Sequence, residues 1–260
     1  MKRIILITAF ISTALISCTD NDSPHRKDES LSIECYTRST ENKKDIVQDF
    51  GMFIYTSDMK DYTGVNNPVH VSYLNGWSFQ NVTLSEEIAQ IYCFYPYSET
   101  ANARFWDINL FNQLDYLVSS NLVIANKENP SVSIIMKHIL SKINVLIDNS
   151  SECKIKLLSI PVNAKYDLIN DRITLGESSE LDTNASSFYI FPSDHQQLRM
   201  DITYNGKVYE YVETANSYSP GKEYTFSLTI NKENELVIDG NIAIKEWKEA
   251  GNFNGSVNEK

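Results

Sequence analysis

Leu198-Arg199-Met200-Asp201-Ile202-Thr203-Tyr204, then Asn205-Gly206, then Lys207-Val208-Tyr209-Glu210-Tyr211-Val212 decides the fold class of this 260-residue chain. Leu198, Met200, Ile202 and Tyr204 recur at every second position. That period sends one set of side chains into a buried sheet face and the other toward water. Asn205-Gly206 supplies the two-residue turn that such a pair of strands needs. The same period returns elsewhere. Leu31, Ile33 and Cys35 carry it, as do Ile143, Val145 and Ile147, and Tyr224, Phe226, Leu228 and Ile230. Asn75-Gly76 and Asp239-Gly240 mark further turns. Many short strands separated by turn residues predict antiparallel β-sandwiches. Fifteen Tyr and eleven Phe against nine Gly agree with a β-rich composition.

Helical signal is sparse: short helices are expected at Ser85-Glu86-Glu87-Ile88 and from Asp107 to Leu117. There is no repeat of 20–50 residues and no glycine-rich phosphate loop. A polar gap, Asp148-Asn149-Ser150-Ser151-Glu152, separates the strand ending at Ile147 from one around Ile155–Ile160. The expected class is all-β, with two tandem antiparallel β-sandwich domains over 31–149 and 150–247 and a polar tail over 248–260.

The first residues predict export. Met1-Lys2-Arg3, an apolar run from Ile4 to Ile16, Ser17 and Cys18 read as a secretory signal over 1–17. The run is shorter than the ~20 apolar residues of a membrane-spanning helix. Leu15-Ile16-Ser17-Cys18 resembles a bacterial lipobox, which implies acylation of Cys18 and anchorage to outer-membrane lipid. Residues 18–30 then form a polar tether whose Asp20 and Asp22 resemble a surface-export signal. The whole chain carries a formal −11; loss of Lys2 and Arg3 with the signal leaves 21 bases against 34 acids, −13. Such a charge repels nucleic acid, so no nucleic-acid partner is expected.

Cys35, Cys93 and Cys153 remain, an odd number that permits at most one internal disulfide with three pairings, or three buried thiols. There is no CxxC and no Cys/His cluster, so no metal is expected. No catalytic constellation assembles either. His25 lies in the tether, and Ser193-Asp194-His195 are adjacent, whereas a triad converges from separate elements. His138, at the head of a strand, reads as a packing histidine. The acid pairs Glu86-Glu87 and Asp167/Asp171 read as solvated surface. Neither an enzyme nor a cofactor is expected. In Ile91-Tyr92-Cys93-Phe94-Tyr95, alternation puts Ile91, Cys93 and Tyr95 on one face and Tyr92 and Phe94 on the other, as core. Exposure of Tyr92, Tyr97, Tyr209 or Tyr211 as a patch would instead mark a binding surface.

Several local patterns, in order, resemble the fimbrillin family of lipoprotein pilins. They are Phe50-Gly51-Met52-Phe53-Ile54-Tyr55; Trp77 followed by Ile91-Tyr92-Cys93-Phe94-Tyr95-Pro96-Tyr97; Asp115-Tyr116-Leu117; Met136-Lys137-His138-Ile139-Leu140-Ser141-Lys142-Ile143; Phe191-Pro192; Tyr218-Ser219-Pro220-Gly221-Lys222-Glu223-Tyr224-Thr225-Phe226; and the closing Ile244-Lys245-Glu246-Trp247. The resemblance covers residues 31–247. It implies two transthyretin-like sandwiches and a structural role in cell-surface fimbriae that adhere to other cells and host surfaces, with other fimbrial subunits as partners. It further implies assembly by strand exchange. The first strand, here Leu31, Ile33 and Cys35, fills a groove, and a surface protease cuts beyond it, here between Arg38 and Ser39. A strand of another subunit then takes its place. The alternative is that Arg38 is an ordinary loop residue and the strand stays. A disulfide from Cys35 would also hold it. After Trp247 the tail Lys248–Lys260 lacks the alternating apolar residues of an outgoing donor strand. The expectation is therefore a tip, accessory or anchor subunit on the outer membrane and, after processing, in the fimbrium. A non-polymerising surface lipoprotein that binds glycan or host protein is the alternative.

Overall fold

The computed structural model describes residues 29–37, 47–233, 235–240 and 242–247. Twenty-two strands make up its regular structure, with no helix among the described residues. In chain order the first nine are β1 (Ser32–Thr37), β2 (Phe50–Tyr55), β3 (Val69–Tyr73), β4 (Trp77–Ser78), β5 (Ala89–Tyr95), β6 (Trp106–Asn109), β7 (Leu117–Ser119), β8 (Val123–Ala125) and β9 (Ser131–His138). Then follow β10 (Ser141–Ile147), β11 (Cys153–Pro161), β12 (Asn163–Asp167), β13 (Arg172–Leu175), β14 (Ser178–Asp182), β15 (Ser187–Ile190) and β16 (Ser193–Gln196). The last six are β17 (Arg199–Tyr204), β18 (Lys207–Val212), β19 (Asn216–Tyr218), β20 (Lys222–Ile230), β21 (Leu236–Ile238) and β22 (Ala243–Glu246).

The first large sheet has eight strands, in the order β1-β9-β7-β5-β2-β3-β4 with β8 also on β5. Its centre is apolar on both faces. Along β5, Ala89, Ile91 and Cys93 enter one core, while Tyr92 and Phe94 enter the other. Along β2, Phe50, Met52 and Ile54 enter the first and Phe53 the second. A strand buried on both sides reads as a near-continuous apolar run. Phe50–Tyr55 is such a run.

Two further sheets, β15-β10-β20-β21 with β22 also on β20, and β14-β11-β17-β18, turn their inward faces to one common core. Ile143, Val145 and Ile147 of β10 meet Phe226 and Leu228 of β20 and Ile155, Leu157, Met200 and Ile202 from the facing sheet. The Leu198–Val212 segment forms the expected hairpin. β17 pairs with β18, Met200 opposite Tyr211 and Ile202 opposite Tyr209. Asn205 and Gly206 both have positive φ, 49° and 75°, the combination a type I′ turn requires. A three-stranded sheet, β13-β12-β6, joins the halves by pairing Trp106–Asn109 with Asn163–Tyr166.

Three features differ from the sequence expectation. Asp107–Leu117 is not a helix: Trp106 and Ile108 alternate into the core as β6, and Gln113 has φ 48°. Ser85–Ile88 is a connection between extended segments. In both places pairing and burial outweigh local helical propensity. Second, β10 pairs with β15 and β20, both later in the chain, so pairing partners change between β9 and β10, ahead of the polar gap. At that gap Asp148 and Asn149 adopt positive φ and carry the chain from one sheet to the other. Third, β1–β9 and β10–β20 are parallel, a direction that side-chain alternation does not encode.

Gly51 shows how closely β2 and β5 are matched. It lies opposite Phe94 in the β2–β5 ladder, and a Cβ there would stand 2.2 Å from the Phe94 ring. The aromatic ring covers the glycine, a pairing that pins strand register. Gly51→Ala should therefore cost about 2–3 kcal/mol through overpacking. Urea unfolding should show a lower midpoint at unchanged slope.

Candidate functional site

The structure gathers the three predicted residues of the first strand into one buried row. Leu31, Ile33 and Cys35 are 5 %, 3 % and 0 % exposed. Ser32 and Glu34 between them face solvent. The row packs into the core built by β2, β5 and β9, with Met52, Ile91, Cys93, Ile134 and Met136 among its members. β1 is the terminal strand of its sheet and runs parallel to β9, Ile33 beside Val132, Cys35 beside Ile134 and Thr37 beside Met136. Its beginning is tied on a second side. The Leu31 N–H donates to Val82 O at 2.9 Å, and the Leu84 N–H donates to Glu29 O at 2.7 Å. The segment thus plugs a trough between Val82–Leu84 and Ser131–Met136.

Sequence reading missed a fourth member of the row. Thr37 is 3 % exposed and points inward. The period-2 count from Leu31 reaches it, but its hydroxyl hides it from a search for apolar residues. Cys18, Arg38 and Ser39 lie outside the described residues.

No disulfide holds the strand. Cys35, Cys93 and Cys153 are all buried free thiols. Burial pushes the Cys35 and Cys93 thiols up, and Cys93 adds to the rise at Cys35. A thiol kept protonated in this way is a poor nucleophile and serves as a small apolar side chain.

A second cluster closes the other end of β9. The His138 ring lies between Asp115 and Trp247. Its Nδ1 is 3.0 Å from Asp115 Oδ2 and 3.1 Å from Oδ1, while its ring stacks on Trp247 at 3.8 Å between centroids and 16° between planes. Trp247 stacks on Tyr189 in turn, at 5.1 Å, and its backbone N–H donates to Gly221 O at 2.9 Å. Gly221 N–H bonds Leu140 O at 2.8 Å. Asp115 and His138 are 4 % and 8 % exposed. A buried histidine flanked by a carboxylate on one edge and an indole on its face is a packed joint, as the sequence predicts for His138. His195 is exposed in the short strand β16, where it has φ 54°.

The tyrosines that would have marked an open binding platform are not open. Tyr92, Tyr209 and Tyr211 are each 8 % exposed, within the core, and Tyr97 is half-buried against His70.

A family model described as fimbrillin-like matches residues 37–247. The chain belongs to the fimbrillin-like family. That match begins at the last residue of β1. Among solved structures, the fimbrillin-like chain resembles a putative cell adhesion protein from Bacteroides uniformis, with a TM-score of 0.65 at 15 % identity over 85 % of this chain and 100 % of the other. A putative cell adhesion protein from Bacteroides ovatus gives 0.63 at 14 % identity over 85 % and 99 %. A fimbrial protein from Bacteroides vulgatus gives 0.50 at 12 % identity over 84 % and 99 %. At these identities the likeness is one of fold. No curated protein matches the chain. Membership of a fimbrillin-like family supports a fimbrial-subunit or adhesive role at the cell surface, structural in kind.

The fimbrillin-like motifs, scattered in sequence, meet in space. Asp115, His138 and Trp247 form the joint just described, and the Tyr218–Phe226 motif supplies Gly221 beneath it. Asp115→Ala would leave the His138 ring buried without that carboxylate, at a cost of about 3 kcal/mol. Asp107→Ala removes one half of an exposed pair with Lys165 at 3.2 Å and should cost under about 1 kcal/mol. Chemical denaturation of the two variants side by side checks the contrast.

Proposed function

We propose that this protein is a fimbrial subunit whose β1 is a resident plug, exchanged during assembly for a strand of a neighbouring subunit. The observation that carries the reading is the placement of β1. It is an end strand, with a fully inward apolar row, lying immediately before Arg38. Its departure would open a trough and leave one edge of β9 unpaired, the kind of edge that recruits another strand. Free thiols at Cys35 and Cys93 support release, because no covalent bond ties the plug to β5.

Magnitudes decide how release must occur. Burial of Leu31 and Ile33 stabilises by roughly 1.5–3 kcal/mol each, and each ladder bond by roughly 0.5–1.5 kcal/mol. Together with Cys35 the plug is held by something on the order of 10 kcal/mol. Cleavage between Arg38 and Ser39 severs the chain and leaves those contacts in place. The plug therefore leaves by displacement, one strand entering as the other departs.

In this reading Cys18 carries the lipid that holds the subunit at the outer membrane before processing, and the residues after it are its tether, though Glu29 and Ser30, which the sequence assigns to the 18–30 tether, already pair with Leu84 and Thr83. The subunit is of tip, accessory or anchor type. β21 and β22 both pair with β20, so the last apolar segments complete their own sheet. The tail beyond Trp247 is polar and suits no trough. Two sandwich units are proposed, divided at Ile139-Leu140, since β10 pairs with β15 and β20. The β6–β12 pairing and the Asp115–His138–Trp247 joint fasten them together.

Intact mass and N-terminal sequencing of protein from the native cell surface test the reading. Processing should give a chain beginning at Ser39 alongside ladders in unboiled gels, and Arg38→Ala should abolish both. A chain that always begins at lipidated Cys18 would refute exchange and leave a stand-alone surface lipoprotein.

A further inference from the structure

The plug is poorly made at one end. Of the four side chains that β1 turns inward, Leu31, Ile33 and Cys35 present no strong polar atom to the core. Thr37 presents a hydroxyl, and its buried Oγ1 finds no hydrogen-bond partner among the described residues. Thr37 stands beside Met136, which is itself fully buried. The next residue across the sheet is Ser119, whose Oγ accepts from the Cys93 N–H at 3.2 Å. A buried hydroxyl without a partner has given up its bonds to water and gained nothing for them. Valine has the same branched shape and carries no such atom.

The opposite end is made well. There Leu31 is apolar and pairs on two sides: toward Val82–Leu84 through the Leu31 and Leu84 N–H groups, and toward β9 through the Ser32 N–H, which donates to Pro130 O at 2.9 Å. The two ends of β1 are therefore held unequally. The weak end is the one that adjoins Arg38. Along the row, two large side chains, Leu31 and Ile33, give way to two smaller ones, Cys35 and Thr37. The parallel ladder with β9 is also the less stable of the two ladder geometries.

We propose that strand exchange begins at the Thr37 pocket, and that the trough prefers an incoming strand of a second subunit with valine or isoleucine where Thr37 now sits. This rests on the exchange reading given above. The resident plug is good enough to complete the fold and leaves that pocket under-filled in energy though filled in volume. An incoming strand that seats a branched apolar residue there gains a foothold at the less well satisfied end before any of the better contacts has to break. It then advances toward Leu31, replacing each contact as it goes. The partner is thus recognised by chemistry: an extended segment, large apolar residues at two alternate positions, a small one next, and a β-branched apolar residue at the last.

The test is hydrogen exchange with mass spectrometry on the full mature chain, comparing wild type, Thr37→Val and Thr37→Ser. The β5 segment Ala89–Tyr95 serves as the internal reference. In wild type, amides of β1 and of Ser131–Met136 should exchange ahead of β5. Thr37→Val should slow them by roughly 5–30-fold while β5 changes less. Thr37→Ser, which keeps the hydroxyl and loses the methyl, should speed them. After cleavage by an arginine-specific protease, a synthetic Leu31–Thr37 peptide with valine at the last position should displace the plug at roughly tenfold lower concentration than the native peptide. No slowing in Thr37→Val, or equal potency of the two peptides, overturns the proposal. Failure of the exchange reading looks different. β1 and β5 would then exchange together in wild type, and Thr37→Val would slow both equally; that result removes the pocket's role in starting exchange as well.

Discussion

The two buried faces of β5 set the architecture. Ala89, Ile91 and Cys93 belong to one core and Tyr92 and Phe94 to the other, so a single strand is shared between two masses of apolar packing. Because the side-chain period of a strand is two, slipping β5 by one residue would exchange the two sets. Ala and Cys would then face the space shaped for Tyr and Phe. Gly51 works against such a slip, since it leaves room for the Phe94 ring where any Cβ would stand 2.2 Å from it. The trough that β1 fills is one face of this same strand pair. Its β2 and β5 walls are therefore packed from both cores.

The second constraint lies at the far end of the chain. Trp247 reaches back over His138, and His138 is oriented by Asp115. Those three residues come from the closing segment, the end of β9 and the loop before β7. A chain that has not yet reached Trp247 has no cover for His138. The aromatic joint, together with the β6–β12 ladder, makes the closing Trp247 part of the packing of the first large sheet. Stiffness between the halves follows, since a packed joint of this kind has few alternative arrangements.

Much of this was legible. The Leu198–Val212 hairpin follows from its alternation and from Asn205-Gly206. The burial of Leu31, Ile33 and Cys35 follows from spacing alone, as does the division of Ile91–Tyr95 between two faces. What was hidden was hidden for physical reasons. Trp106-Asp107-Ile108 alternates for too few residues to announce a strand, and its place depends on β12, more than fifty positions away. The direction of β1 and of β10 is set by which edge each finds, which no local pattern records. Thr37 looks polar, and its burial is a property of the trough. The free state of the cysteines is a matter of geometry, and composition allowed either outcome. Asp115, His138 and Trp247 were visible as separate family-like motifs, while their convergence was not.

On the exchange reading proposed above, the protein faces a problem before it reaches its place of assembly. An open trough with a free β9 edge would pair with any extended chain, including another copy of itself. Charge alone is a partial defence: the chain's net charge of −11 keeps copies apart at long range but fades within about 10 Å at ordinary ionic strength. A resident strand is the stronger safeguard, because it satisfies the edge and fills the apolar row at once. Its quality then has two limits. Too weak a plug leaves the edge open during export. Too good a plug, bonded through Cys35 or apolar at Thr37, would resist displacement after the chain is cut. On that reading a strand anchored firmly at Leu31 and less well at Thr37 sits between those limits, with its weaker end beside the arginine at which the proposed cut detaches it from the chain.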